Sequence, residues 1–272
     1  MTATRAVGAW LMARAYAHRG LHGPGVPENS LAAAHTAIAA GHGIECDVRL
    51  SRDGIVHVFH DIRLERLTGA HGRFGDRDSA DIARLRLSGG VDAAIPTLAA
   101  LLEAITCSCE GRRMGGSLPP WAPAFAGARR EAIQSVPTPL LIEIKSDSGP
   151  MACARLCAAV AALLDRHDGP AAVMSFDPLV PRWFARHRPG IARGLVISRR
   201  LRAGIVARRG EAGALARSAA QFVACDVRDL PRAAALPRRT GRPLLSWTVR
   251  TPAAWARAAR HDAQAIFEGA VP

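Results

Sequence analysis

The feature that most constrains the fold of this chain is an alternation of short apolar runs with longer, Ala-rich amphipathic segments. The apolar runs are bounded by Gly, Pro or Asp, which is typical of strands in a parallel sheet that helices cover on both faces. Strands are predicted near 14–17, 44–48, 140–145, 171–176, 194–198, 222–226, 243–249 and 264–267. Helices are predicted near 30–40, 97–105, 151–165, 178–186, 211–220, 230–239 and 252–260. Eight strands favour a closed (β/α)₈ TIM barrel over an open sheet.

The length of the chain agrees with this fold. A chain of 272 residues with 49% hydrophobic content can bury one large core, so residues 1–272 are predicted to form a single domain. The apolar run at 55–59 follows a turn sequence, Arg52-Asp53-Gly54. We therefore interpret it as the return arm of a hairpin from the second strand and not as a ninth barrel strand.

Two stretches interrupt the alternation. Residues 61–96 connect a strand to a helix, which places them on the face where barrel enzymes build their active sites. Residues 106–139 are rich in Gly and Pro and connect a helix to the next strand, so they belong to the opposite face. A stretch of that length without periodicity is either disordered or a docking element, and we interpret it as a flexible loop.

The chain is strongly basic, with a formal net charge of +13, yet Lys145 is its only lysine. A genome whose base composition favours Arg codons explains this bias better than selection for an anionic partner. The arginines are dispersed and few aromatic residues lie among them, so no nucleic-acid partner is expected. No apolar run approaches the roughly 20 residues of a transmembrane helix, and none has signal-peptide length. These patterns predict a cytoplasmic protein.

Charged residues interrupt two strands that are otherwise apolar. Glu45 and Asp47 on the second strand, and Glu143 and Lys145 on the third, are spaced i, i+2 and so point to one side of each strand. Buried charges need partners, and inward salt bridges are one solution. Three carboxylates against one lysine leave an anionic excess that a cation would neutralise. Hard oxygen ligands without a soft partner suit Mg²⁺ or Ca²⁺ more than zinc.

Two histidines fall at the ends of strands on the predicted mouth of the barrel. His18 ends the first strand and His60 ends the hairpin arm. A single histidine of this kind is more often structural, but two beside a carboxylate cluster indicate a catalytic site. Two histidines next to a hard metal can serve as general base and general acid on a phosphodiester.

Six short motifs occur in a fixed order along the chain. They are His18-Arg19-Gly20, Pro27-Glu28-Asn29-Ser30, Glu45-x-Asp47, His60-Asp61, Ile95-Pro96-Thr97-Leu98 and Glu143-x-Lys145. Together they resemble the glycerophosphodiester phosphodiesterase family. The resemblance implies a (β/α)₈ barrel with a small inserted module at 61–96. It also implies metal-dependent hydrolysis of glycerophosphodiesters, small-molecule substrates, to sn-glycerol 3-phosphate and an alcohol.

The resemblance also implies roles for individual residues. It implies a divalent cation held by Glu45, Asp47 and Glu143, and acid–base catalysis by His18 and His60. It further implies that substrate or phosphate is bound by Arg19, Asn29, Lys145, Trp247 and Glu268. Two departures concern these motifs. Ser30 stands where the family usually has Thr, and Phe267-Glu268-Gly269 replaces the family's Thr-Asp-x-Pro, which still supplies a carboxylate but on a longer side chain.

Two alternatives share the same barrel. One is a lysophospholipase D-type phosphodiesterase, for which the basic surface would favour anionic bilayers, although no apolar docking helix is evident. The other is a non-catalytic, Arg-rich binding protein, against which the intact histidines and carboxylates argue.

A last expectation concerns the N-terminal segment around Trp10 and Leu11. We expect it to cover a flank of the barrel that is left open for lack of an eighth helix.

Overall fold

A computed structural model describes residues 9–113, 137–146, 149–198 and 205–271. Most of the stretch predicted to be a flexible loop, residues 114–136, therefore lies outside the described residues. Its first part does not fit the prediction, because the preceding helix continues to Arg113 instead of ending near residue 105.

The strands lie close to their predicted positions. They are β1 (Tyr16–Ala17), β2 (Gly43–Leu50), β3 (Val56–Val58), β4 (Leu140–Ile144), β5 (Ala171–Ser175), β6 (Ala192–Ile197), β7 (Phe222–Asp226), β8 (Leu244–Val249) and β9 (Ala263–Phe267).

The helices follow the strands in alternation. They are α1 (Leu31–Ala39), α2 (Glu65–Thr68), α3 (Ser79–Ile82), α4 (Leu98–Arg113), α5 (Gly149–Leu164), α6 (Leu179–His187), α7 (Ile205–Ser218), α8 (Leu230–Ala233), α9 (Ala235–Thr240) and α10 (Pro252–Arg260). The single helix predicted over 230–239 is thus two short helices. Pro237 lies in the first turn of α9, where no backbone donor is lost, so a new helix can begin there.

Eight parallel strands close into a barrel. Among the described residues, the strand order is β1-β9-β8-β7-β6-β5-β4-β2, and the pairing of β1 with β2 completes the circle. β3 pairs antiparallel with the carboxyl end of β2, with Val48 opposite Val58. The (β/α)₈ barrel and the hairpin arm are therefore both confirmed.

The barrel interior is a packed core at its amino-terminal end. It is built from inward-facing apolar residues of seven strands and from Leu11. Phe222 packs so closely over Gly194 that a Cβ at that glycine would lie 2.1 Å from the ring. The expectation that the N-terminal segment covers a flank is wrong, because Leu11 is fully buried in this interior cluster. The Tyr16 hydroxyl donates a hydrogen bond to the Leu11 carbonyl and fixes the segment there.

Residues 61–96 form a module at the opposite end of the barrel. It contains α2, α3 and a 3₁₀ turn at Phe74–Asp76. A separate apolar cluster fills it, comprising Phe59, Leu64, Leu67, Phe74, Ile82, Leu87 and Ile95. None of the helices in the described part of the chain is both long and apolar enough to span a bilayer.

Candidate active site

A cleft of about 1080 Å³ opens at the carboxyl ends of the strands. This is the end at which (β/α)₈ barrels carry their active sites. The side chains that line it include His18, Arg19, Glu45, His60, Glu143, Lys145 and Trp247. The barrel thus brings most of the sequence-predicted site residues to one surface.

Three acidic side chains converge at the floor of the cleft. Asp47 on β2 pairs in register with Glu143 on β4, and Glu45 lies two residues before Asp47 on the same face. One carboxylate oxygen from each of the three residues lies within 4.8 Å of the others. All three residues are buried. The i, i+2 spacing read from the sequence therefore produces a compact cluster of hard oxygen donors.

Two cations contact this cluster without balancing it. Lys145 Nζ lies 2.9 Å from Asp47 Oδ1 and also contacts Glu143. Arg19 Nε lies 3.2 Å from Asp47 Oδ2. One negative charge of the three remains, and Glu45 Oε1 is buried without a hydrogen-bond partner among the described residues. An orphaned carboxylate oxygen beside two others fits a divalent cation such as Mg²⁺ or Ca²⁺.

The same imbalance shifts the acidity of the carboxylates. Burial, together with the charge of Asp47, raises the pKa of Glu45 to about 7. Burial also acts to raise the pKa of Asp47, but Lys145 and Arg19 outweigh it and hold that pKa well below its usual range. Asp47 therefore stays ionised at neutral pH, whereas Glu45 gains or loses its proton near neutral pH when no cation is bound.

His18 is backed by a carboxylate from the last strand end. Its Nδ1 lies 2.5 Å from Glu268 Oε1, and its Nε2 lies 4.0 Å from Glu45 Oε2. Arg250 donates to the second oxygen of Glu268 at 2.6 Å. Burial alone would lower the pKa of His18, but Glu45 and Glu268 outweigh it and raise that pKa. Glu268 does not line the cleft, so it meets the histidine and not the space for substrate.

His60 likewise contacts a carboxylate through Nδ1, and this carboxylate belongs to the next residue in the sequence. Its Nδ1 lies 2.6 Å from Asp61 Oδ1. The Arg49 guanidinium donates to the His60 carbonyl at 2.8 Å, which anchors the end of the hairpin arm. Burial lowers the pKa of His60 below its ordinary value. Both histidines therefore present Nδ1 to a carboxylate, which accepts but cannot donate, and this leaves Nε2 for chemistry.

The loop after β1 holds Arg19 and Asn29 in unusual backbone conformations. Arg19 has a φ of 57° and Asn29 a φ of 56°. Gly20 between them approaches α1 so closely that a Cβ would lie 2.7 Å from Ala33 Cβ. The Arg19 amide donates to Glu45 Oε2 at 2.9 Å, which aims that carboxylate.

Asn29 lies outside the cleft and holds Asp47 in place. Its side-chain amide donates to Asp47 Oδ2 at 3.0 Å and its carbonyl accepts from the Asp47 amide at 3.2 Å. Asn29 is buried and does not line the cleft. The next residue, Ser30, caps α1 by accepting from Ala33 N at 3.1 Å, so it supplies the hydroxyl that a threonine would.

The far wall of the cleft carries aromatic and cationic side chains. Phe176 and Trp247 form an edge-to-face pair with ring centroids 5.6 Å apart. Arg228, Arg250 and Arg257 also line this side. Arg228 is held by the buried Asp226 through both carboxylate oxygens.

The predictions from sequence assigned no role to three charged residues around the site. Glu28 contacts Arg19, Asp61 contacts His60, and Arg66 of α2 contacts both Glu28 and Asp61. Glu28 and Asp61 fall within quoted motifs, but Arg66 falls in none. Only its position five residues after Asp61 could have drawn attention to it.

Comparison with protein families matches residues 18–268 to the model described as glycerophosphoryl diester phosphodiesterase family. The chain belongs to this family. The match begins at His18 and ends at Glu268, the two residues whose side chains meet where the last strand pairs with the first.

The chain is also similar to individual members of the family. A glycerophosphodiester phosphodiesterase from Bacillus altitudinis is 37% identical over 103 residues, which are 35% of this chain and 41% of that protein. The chain spans about a third of the length of the first curated relatives it matches. A phosphodiesterase from Oleispira antarctica, solved in complex with the product sn-glycerol 3-phosphate, shares 23% identity with a TM-score of 0.70, covering 96% of this chain and 94% of that one. A glycerophosphodiester phosphodiesterase from Thermotoga maritima shares 22% identity with a TM-score of 0.64, covering 93% and 92%. These two likenesses establish the fold.

Proposed function

We propose that this protein is a metal-dependent phosphodiesterase that hydrolyses glycerophosphodiesters to sn-glycerol 3-phosphate and an alcohol. The observation that carries the proposal is the convergence of three buried carboxylates and two carboxylate-backed histidines on one cleft. Family membership supports the substrate class, and the sn-glycerol 3-phosphate bound to the Oleispira antarctica relative supports the product.

Glu45, Asp47 and Glu143 are the residues proposed to hold the cation. Their oxygens form a hard donor set, and the free oxygen of Glu45 lacks any other partner among the described residues. When bound, a divalent cation supplies Lewis-acid stabilisation of the charge that builds up on the phosphoryl group. Mg²⁺ and Ca²⁺ both suit this donor set.

Arg19 and Lys145 are proposed to bind the phosphate. Lys145 has three ammonium donors, and its contacts with Asp47 and Glu143 leave one for a phosphoryl oxygen. Arg19 has five N–H donors, of which Nη1 serves Glu28 and Nε faces Asp47. Both cations are therefore fixed by carboxylates, and they retain donors toward the cleft that they line.

His18 and His60 are proposed to carry the protons. One imidazole accepts a proton at Nε2 from the nucleophile as its oxygen bonds to phosphorus. The nucleophile is water, which gives sn-glycerol 3-phosphate directly, or the glycerol 2-hydroxyl of the substrate, which gives a cyclic phosphate that water then opens to the same product. The other imidazole donates a proton from Nε2 to the departing alcohol oxygen as its bond to phosphorus breaks. Glu268 and Asp61 hold the Nδ1 proton of each ring in place and so orient Nε2.

The experiment that tests the proposal measures release of sn-glycerol 3-phosphate. Glycerophosphocholine, glycerophosphoethanolamine and lysophosphatidylcholine are each incubated with Mg²⁺, with Ca²⁺ or with chelator. We expect product from the first two substrates only when a divalent cation is present. Turnover of lysophosphatidylcholine alone, with release of choline, would instead indicate a lysophospholipase D. No turnover of any substrate would contradict the proposal.

Matched variants identify the ligands in the same assay. Glu45→Gln, Asp47→Asn and Glu143→Gln each remove one carboxylate with little change of volume. We expect each variant to bind the cation more weakly and to lose most of its turnover. Asp53→Asn is the control, because Asp53 accepts a hydrogen bond from the Ser79 amide at the start of α3 and does not line the cleft. Full activity of all three ligand variants in excess chelator would exclude this ion site.

A further inference from the structure

Arg66 lies between two carboxylates at the edge of the candidate site. It donates to Glu28 from Nη1 at 3.0 Å and from Nη2 at 2.8 Å. It donates to Asp61 from Nε at 2.5 Å and from Nη2 at 2.9 Å. Each carboxylate is therefore held through both of its oxygens, which is the geometry a planar guanidinium is suited to make.

Each of those carboxylates holds a side chain of the site. Asp61 Oδ1 lies 2.6 Å from His60 Nδ1. Glu28 Oε1 accepts from Arg19 Nη1 at 2.6 Å, and Arg19 in turn meets Asp47. An unbroken series of hydrogen bonds and ion pairs thus runs from His60 through Arg66 to Asp47, a carboxylate of the proposed ion site.

The charge of Arg66 affects the pKa of both carboxylates that it contacts, Asp61 and Glu28. Burial acts to raise the pKa of Asp61, but hydrogen bonds from Arg66 and His60 lower it to about 2. Burial likewise opposes ionisation of Glu28, whose pKa is nevertheless lowered by Arg66 and Arg19. Without Arg66, two neighbouring anions would lose the cation between them.

We propose that Arg66 is a positioning residue for the hydrolysis, fixing Asp61 behind His60 and Glu28 behind Arg19 so that the proton-transfer group and the phosphate-binding group keep one relative geometry. The inference rests on the proposed function. It assigns a role in the site to the inserted module at 61–96, since α2 of that module carries the arginine.

A purely structural role predicts a different outcome. The Arg66 side chain is 48% exposed, and exposed ion pairs contribute little to stability. The module also has its own apolar cluster, which includes Leu64 and Leu67 on either side of Arg66. We therefore expect the module to keep its fold when the guanidinium is removed.

The first test compares Arg66→Gln and Arg66→Lys with the control Arg84→Gln. Arg84 lies in the same module, pairs only with Asp81 among the described residues and is 78% exposed. We expect Arg66→Gln to lose about 10- to 100-fold in kcat/KM with little change in Tm, because small misplacements of catalytic groups are costly. Lysine should recover only part of the loss, since an ammonium cannot grip both carboxylates bidentately. Arg84→Gln should stay within about twofold of wild type.

A double-mutant analysis separates the effect of Arg66 on His60, through Asp61, from its effect on Arg19, through Glu28. In an Asp61→Asn background, adding Arg66→Gln should change KM through Arg19 and leave kcat almost unaltered. In a Glu28→Gln background, the same addition should change kcat through His60 and leave KM almost unaltered. Losses that multiply fully in both backgrounds, or wild-type kinetics in Arg66→Gln, would overturn the inference.

A spectroscopic readout keeps this test independent of activity. Nitrogen-15 NMR of the histidine rings reports which nitrogen of His60 carries the proton. We expect the Nδ1–H form in the wild type and a mixture of tautomers in Arg66→Gln. An unchanged His60 tautomer would contradict the role of Arg66, even if the wild-type protein hydrolyses no glycerophosphodiester. Absence of turnover in the wild type contradicts only the proposed function.

Discussion

Asp47 and Glu143 lie opposite each other in the parallel register of β2 and β4, and the ammonium of Lys145 contacts both carboxylates. Lys145 is the only lysine in a chain where the other basic residues are arginine. The one lysine therefore stands where the carboxylates of the proposed ion site converge.

Lys145→Arg tests whether this position requires an ammonium. The Lys145 side chain is 14% exposed and sits between two carboxylates, so a wider guanidinium would displace substrate or ion. We expect a Tm near that of wild type and a loss in kcat/KM of at least about tenfold, or about 1.4 kcal/mol of transition-state stabilisation. Unchanged kinetics would mean that only the positive charge matters at this position.

Replacement of each histidine tests the acid–base pair. His18→Ala and His60→Ala should each lose roughly 10²- to 10⁴-fold in turnover. A nitrophenyl phosphodiester has a leaving group that needs little protonation, so it should restore activity selectively in the variant that lacks the general acid. His71→Ala, which removes a histidine that is 92% exposed, should behave as wild type. If neither variant is rescued, the two histidines do not divide the roles of acid and base.

The affinity for the divalent cation should depend on pH through Glu45. Burial raises the pKa of Glu45 to about 7 in the absence of a cation, so the carboxyl is protonated below that pH and ionised above it. A cation needs the ionised form and must displace the proton. Affinity should therefore rise with pH up to about 7 and then level off.

Calorimetry in two buffers of different ionisation enthalpy measures this coupling. Below about pH 7, binding of one Ca²⁺ or Mg²⁺ should release close to one proton, and Glu45→Gln should abolish that release. An affinity that does not change between about pH 6 and pH 8 would contradict the assignment of Glu45 as a ligand.

Arg257 is expected to influence the choice of head group. It lines the far side of the cleft from α10 and has no ion-pair partner in the described part of the chain, whereas Arg228 is paired with Asp226 and Arg250 with Glu268. A guanidinium without a carboxylate favours an anionic group on the leaving alcohol.

Arg257→Gln should therefore lower kcat/KM about three- to tenfold for diesters whose alcohol carries a phosphate, and leave glycerophosphocholine turnover nearly unchanged. Arg260→Gln is the matched control on the same helix, because Arg260 is exposed and does not line the cleft. Equal losses in kcat/KM on both substrates would show that Arg257 does not contribute to the choice of head group.

The sequence alone determined the barrel and the floor of its site. Apolar runs bounded by Gly, Pro and Asp predicted β4 and β5 within about a residue of their observed ends. The i, i+2 spacing of Glu45 and Asp47 predicted that both face one side, because side chains alternate along a strand whatever surrounds it. Local periodicity is a property of consecutive residues, so it can be read without the fold.

Only the tertiary structure decided which residues contact the site residues and hold them in position. Glu268 meets His18 because the last strand closes against the first, and Arg66 meets Glu28 because the inserted module folds back over the loop after β1. Leu11 enters the barrel interior for a similar reason, since it fills space at the amino-terminal end beside the strands. These contacts join elements far apart in sequence, and their partners depend on loop paths and side-chain reach, neither of which has a period that a sequence can display.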